Sequence, residues 1–172
     1  MKISVINGVN LTKLGIGRPA EIYGNENLDE IAAGLTSCFP QIKFDFKNTT
    51  DEFELAEFIG QSLDSKDALG YEIKHTDGII INAGAFSHHS VLVKDAVAGI
   101  KGKIPIVEVH IINIFARDVF RRNSVIAPMA DGVIAGFDRF GYILAANAII
   151  DLLNRKKIEE KLARELKASQ ED

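Results

Sequence analysis

Gly78-Ile79-Ile80-Ile81-Asn82-Ala83-Gly84-Ala85-Phe86-Ser87-His88-His89-Ser90 is the stretch that decides the fold. Residues 78–82 form an apolar, β-branched run, the pattern of a strand covered on both faces. The run passes through a glycine-bearing turn at Gly84 to a helix start, where Ser87 is placed to cap a helix over residues 88–99. Strand, turn, helix is the repeating unit of a parallel α/β sheet.

Working outward, residues 2–6, 42–47, 104–109 and 132–136 read as four more strands. Helical patterns separate them. Leu28, Ile31, Ala32, Leu35 and Cys38 predict a helix over 28–38, and Phe53, Leu55, Ala56, Phe58, Ile59 and Leu63 predict one over 52–69. Residues 114–122 predict a short arginine-bearing helical element. Residues 140–167 predict a long C-terminal helix, apolar first and then charged, with 155–172 as a charged amphipathic extension. This alternation predicts one α/β domain over residues 1–172, a doubly wound three-layer sandwich around a five-stranded parallel sheet. Functional sites of such folds lie beyond the C-terminal ends of the strands. The chemically capable residues fall there: Asn7 and Asn10, Asn82 to His88, and Glu108 with His110, with Arg117 and Arg121 soon after.

Bulk properties narrow the function classes. With 47% hydrophobic and 26% charged residues over 172 positions, the chain has the composition of one soluble globular domain rather than a disordered one. The net charge of −4 leaves no basic excess to neutralise phosphates, so general nucleic-acid binding is excluded. No apolar run reaches the ~20 residues of a membrane span. The N-terminal segment runs straight into a strand pattern without a signal-peptide core, so a cytoplasmic location is expected. Cys38, the single cysteine, is expected to be buried packing.

Five segments carry candidate chemistry. In Asn7-Gly8-Val9-Asn10-Leu11, the glycine lets the chain turn off the strand and the asparagines orient a substrate oxygen or a water. Residues 14–24 read as a loop carrying Arg18 and Tyr23; an arginine beside a tyrosine favours the phenolate, which is a usable base. In the third segment, His88 and Asp95 stand seven apart, on one face of the expected helix. Glu108 and His110 point to the same side of a strand, where a carboxylate fixes the imidazole for proton delivery. Arg117 and Arg121, four apart, offer two cations to a carboxylate or hydroxyl partner.

Taken in order, these motifs resemble the type II dehydroquinases: Asn-Gly-x-Asn-Leu, Arg with Tyr five residues later, Asn-x-Gly-Ala-Phe-Ser-His, Glu-Val-His, and Arg-x-x-x-Arg. The resemblance spans about residues 2–150 and implies a flavodoxin-like fold and a hydro-lyase. Such an enzyme converts 3-dehydroquinate to 3-dehydroshikimate and water through an enolate, in the shikimate route to aromatic amino acids. It implies Tyr23 as the base, Arg18 as the group keeping Tyr23 ionised, and Asn10 as the holder of a water that stabilises the enolate. His110, oriented by Glu108, would protonate the departing hydroxyl. Asn82, His88, Arg121 and the backbone of Ile111 and Ile112 would bind substrate, with Arg117 in support. Asp95 would reach the site of a neighbouring subunit in a homododecamer built of trimers. No metal or cofactor is implied.

Three positions depart from the family pattern. Val9 stands in place of proline, Pro19 follows Arg18 with one residue inserted between Gly15 and Arg18, and Ile112 stands where the family has serine or threonine. The last removes a hydroxyl from the carboxylate site and motivates an alternative: a dehydratase with an altered substrate, or a binding homologue without catalysis. A metal hydrolase built on His88, His89, Glu108 and His110 is a further rival, disfavoured because their spacing matches no standard ligand pattern.

Overall fold

The computed structural model describes residues 1–11, 27–63, 65–66, 69, 72–73 and 76–169. In chain order its elements are β1 (Lys2–Val9), α1 (Leu28–Cys38), β2 (Lys43–Asn48), α2 (Glu52–Gly60), the two-residue strands β3 (Ser65–Lys66) and β4 (Glu72–Ile73), β5 (Gly78–Gly84), α3 (Val91–Ile100), β6 (Ile106–His110), β7 (Gly132–Ala135) and α4 (Phe140–Ala168). β3 and β4 form a small antiparallel pair. The other five strands make one sheet in the order β2-β1-β5-β6-β7, with every neighbouring pair parallel. That order is the flavodoxin-like one, whose ligand site opens where the winding reverses, between β1 and β5.

The sheet divides two cores by strand parity. Ile3, Val5, Ile80, Val107 and Val109 pack against α1 and α4, while Ile6, Ile79, Ile81 and Ile106 pack against α2 and α3. This explains why β5 and β6 are apolar without alternation: both faces are covered. Glu108 and His110 share the parity of Ile106, so they point toward the α2 and α3 side at the end of their strand.

Helix ends follow local capping chemistry, and two of them move well away from the expected positions. Asn27 caps α1 in a reciprocal capping box with Glu30. α2 ends at Gly60, short of residue 69: glycine is a poor helix former, and the Ser62 hydroxyl donates back to the Phe58 carbonyl. The helix expected over 88–99 begins at Val91, because Ser90 rather than Ser87 caps it, its Oγ accepting from Val93 N–H at 2.9 Å. Residues 85–88 instead form a 3₁₀ turn, so His88 and Asp95 do not share a helix face. The segment 114–122 is two 3₁₀ turns, Ile114–Ala116 and Val119–Arg121, separated by an extended Arg117 (φ −104°, ψ −179°). Asn113 caps the first turn, and the run breaks where Arg117 and Asp118 leave the helical conformation. Cys38 is exposed, not buried: it follows Ile31 and Leu35 at helical spacing but is the last residue of α1, past the buried part of that face.

Two glycines let β1 and β5 close on each other above the core. A Cβ on Gly8 would lie 2.3 Å from the Ala83 carbonyl oxygen, and one on Gly84 would lie 2.0 Å from that of Val9. The turn off β1 therefore falls not at Gly8, which stays in the strand, but at Asn10, with φ 74°. Gly84 also has φ +63°. Gly84→Ala combines a backbone clash with a left-handed conformation and is expected to cost about 3 kcal/mol or more. Thermal unfolding should show a midpoint lower by roughly 10 °C; an unchanged midpoint would mean that the two strand ends separate freely.

Candidate active site

Three asparagines stand side by side at the strand ends. Asn7 of β1 is in register with Asn48 of β2 and with Asn82 of β5. Asn7 Nδ2 donates to Asn48 Oδ1 at 2.9 Å. The Tyr142 hydroxyl donates to Asn7 Oδ1 at 2.7 Å and accepts from Asn82 Nδ2 at 3.0 Å. Tyr142 is fully buried, and burial pushes its phenol well above the ordinary tyrosine range, so it is a neutral donor. The Gly84 N–H donates to Asn82 Oδ1 at 3.3 Å, which fixes the orientation of that amide.

On the next strand His110 Nε2 lies 2.8 Å from Glu108 Oε1, and both side chains are buried. The pair is a close polar contact rather than a well-formed hydrogen bond. The Ser124 hydroxyl donates to the same Glu108 oxygen at 2.7 Å. With Nε2 turned toward Glu108, Nδ1 is the nitrogen of His110 left to meet a ligand.

His88 stacks against His110, with ring centroids 6.0 Å apart and planes 16° from parallel. Its Nδ1 is 2.8 Å from the Asn123 carbonyl, which can only accept, so Nδ1 carries the proton and Nε2 is an acceptor in the neutral ring. Burial lowers the His88 pKa, and the nearby His110 and Arg121 lower it further against the opposing effects of the Asn123 carbonyl and Glu108.

These groups meet in an open pocket of about 490 Å³. Among the described residues its walls include Asn10, Asn82, His88, His110, Ile111, Ile112, Arg117 and Arg121. The structure thus brings together eight of the expected site residues, with Glu108 directly behind His110. Asp95 lies elsewhere, exposed on α3 and outside the pocket. Arg18 and Tyr23 fall outside the described residues. The rings of His88 and His89 diverge, His89 packing edge-on to Phe86, and among the described residues no three metal-binding side chains converge.

Sequence reasoning missed Tyr142, Asn48, Asn123 and Ser124. A lone tyrosine at the start of an apolar helix signals a buried hydroxyl that needs partners. Nothing in the local sequence marks Ser124, whose partner is 16 residues away.

A doubly wound parallel sheet with an imidazole–carboxylate pair beneath an arginine-edged pocket is the architecture of an enzyme that moves protons on a small anionic molecule. The comparisons give the particular family. The model of dehydroquinase class II matches residues 1–150. A 3-dehydroquinate dehydratase of Pelodictyon phaeoclathratiforme is 41% identical over 152 residues, 88% of this chain and 93% of the relative. That of Aliarcobacter butzleri is 38% identical over 159 residues, 91% and 89% of the two chains. The crystal structure of a type II dehydroquinase from Butyrivibrio crossotus superposes with a TM-score of 0.76 at 37% identity, over 90% of this chain and 97% of that one. The chain belongs to the class II dehydroquinases, a family of dehydratases with this flavodoxin-like fold.

His88 has a measurable consequence. Its folded-state pKa is below the unfolded 6.5, so between those values the unfolded chain binds the proton and the folded chain does not. The stability it contributes is full above pH 6.5 and is lost as pH falls from there through the lowered folded pKa. Imidazole resonances followed by NMR should show His88 titrating below 6.5; a midpoint at or above 6.5 would contradict the burial seen here.

Proposed function

We propose that the chain dehydrates 3-dehydroquinate to 3-dehydroshikimate, as a biosynthetic or catabolic enzyme of the shikimate route. The observation that carries this is the His110–Glu108 pair at 2.8 Å under a pocket edged by Asn10, Asn82, His88 and Arg121, in a chain of this family.

Tyr23, kept ionised by Arg18, removes a proton from the carbon beside the substrate ketone. The electrons pass to the ketone oxygen, where a water held by Asn10 stabilises the enolate. The enolate collapses, the carbon–oxygen bond to the hydroxyl breaks, and His110 gives that oxygen a proton, so water leaves and a conjugated enone remains. Glu108 keeps His110 turned for this transfer. Asn82 and His88 hold the substrate hydroxyls. Arg121, the backbone of Ile111 and Ile112, and Arg117 in support take its carboxylate. None of these steps calls for a metal or cofactor.

Asp95, exposed in the single chain, fits a role at a neighbouring subunit's pocket. The assembly that goes with that role is a trimer, four of which make the family's dodecamer, and the location is the cytoplasm. Mixing subunits of Asp95→Ala with subunits of His110→Ala should then restore part of the activity that each lacks alone. No recovery after mixing and reassembly would place Asp95 outside the site.

The direct experiment follows the ultraviolet absorbance of the enone. Wild type should turn over 3-dehydroquinate, and Tyr23→Phe and His110→Ala should each lose at least about 100-fold in kcat. Wild-type protein that is folded yet inactive would sink the assignment. Ile112→Ser should restore a hydroxyl to the carboxylate site and lower KM about tenfold, the effect of roughly 1.5 kcal/mol for a hydrogen bond to a charged group.

A further inference from the structure

Ser124 lies outside the pocket walls and is nearly buried, with 9% of its surface exposed. Its Oγ donates to Glu108 Oε1 at 2.7 Å. The same Oγ faces two backbone donors, Ile126 N–H at 3.3 Å and Ala127 N–H at 3.2 Å. A hydroxyl has one hydrogen and two lone pairs. With both lone pairs turned to N–H groups, the hydrogen is directed to Glu108, and Ser124 acts as a one-way donor. Glu108 Oε1 is thereby held as an acceptor in a fixed place, 2.8 Å from His110 Nε2.

The other carboxylate oxygen, Oε2, is buried without a partner. Among the described residues no second side-chain hydrogen bond fixes the carboxylate, so its rotation rests on Ser124. The segment around it does related work. Arg121 lines the pocket, the Asn123 carbonyl takes the Nδ1–H of His88, and Val125 N–H donates to the Ser87 carbonyl at 2.8 Å, tying the segment to the turn that carries His88.

We propose that Ser124 is a positioning residue for proton delivery: it sets the Glu108 carboxylate, which in turn sets the His110 imidazole. The inference rests on His110 being the acid. A partner of this kind affects the chemical step and leaves substrate binding largely alone, because Ser124 touches no pocket surface.

The test is a double-mutant cycle read as kcat and KM, with the thermal midpoint of each variant measured alongside. Ser124→Ala is expected to lower kcat about tenfold or more with KM little changed, as for other groups that orient a functional side chain. Ser124→Thr, which keeps the hydroxyl, should recover most of the loss. In a His110→Ala background, Ser124→Ala should cost nothing further. Where Ser124→Ala does not fold, Ser124→Cys, similar in size with a weaker donor, should show the same split. A folded Ser124→Ala with wild-type kcat would overturn the proposal. An equal loss with or without His110 would overturn it too. Full activity in His110→Ala would instead remove the acid assignment, and the role of Ser124 with it.

Discussion

The hydroxyl of Tyr142 ties the first residues of α4 to the ends of two central strands. It gives its hydrogen to Asn7 and takes one from Asn82, and Asn7 passes the chain on to Asn48. The carbonyl oxygen of Asn7 and the amide of Asn82 are buried where water does not reach, so each would cost free energy without a partner. One buried oxygen satisfies both, and the remaining parts of the site inherit its position. The Asn82 amide faces the pocket in one orientation. Gly84 follows it into the turn that carries His88, and β1 and β5 approach closely enough that only glycine fits at positions 8 and 84.

Charge in the site is layered. The whole chain carries −4, yet the pocket wall among the described residues presents two arginines and two imidazoles and no carboxylate. Glu108 stands one layer deeper, behind His110. An anion entering the pocket therefore meets the arginines first, while the Glu108 carboxylate is shielded from it. Burial, with His110 and Arg121 nearby, lowers the His88 pKa and favours its neutral ring. In that form its Nε2 is an acceptor, where a protonated ring would present a donor.

The sheet was legible in the sequence because burial on both faces leaves a strong mark. Runs such as Ile79-Ile80-Ile81 have no other economical explanation, and Glu108 and His110 stand out by interrupting one. Local competition was harder to read. Ser87 and Ser90 are both credible caps, and the choice falls to Ser90 because residues 85–88 close a 3₁₀ turn first. The expected 114–122 helix is broken where Arg117 and Asp118 leave the helical conformation, although Arg117 and Arg121 both still reach the pocket. Ser124 was invisible, and the partners of Tyr142 unreadable, for a different reason. Their partners lie 16 and 135 residues away, and only the folded topology brings them together.

Ile112 shows how a fold can keep its site geometry while changing one contact. Its half-buried side chain packs against the core formed by β6 and α4 and also lines the pocket. Part of what is lost in polarity is therefore returned in apolar burial, at about 25 cal/mol per Å² removed from water. A serine there would add a hydrogen bond for a bound anion and remove packing from the empty enzyme. The two effects act on different states, so affinity and stability need not move together at this position. Under the proposed function, carboxylate recognition would then fall mainly to the arginines, which can hold an anion by charge and by paired N–H groups without needing the hydroxyl.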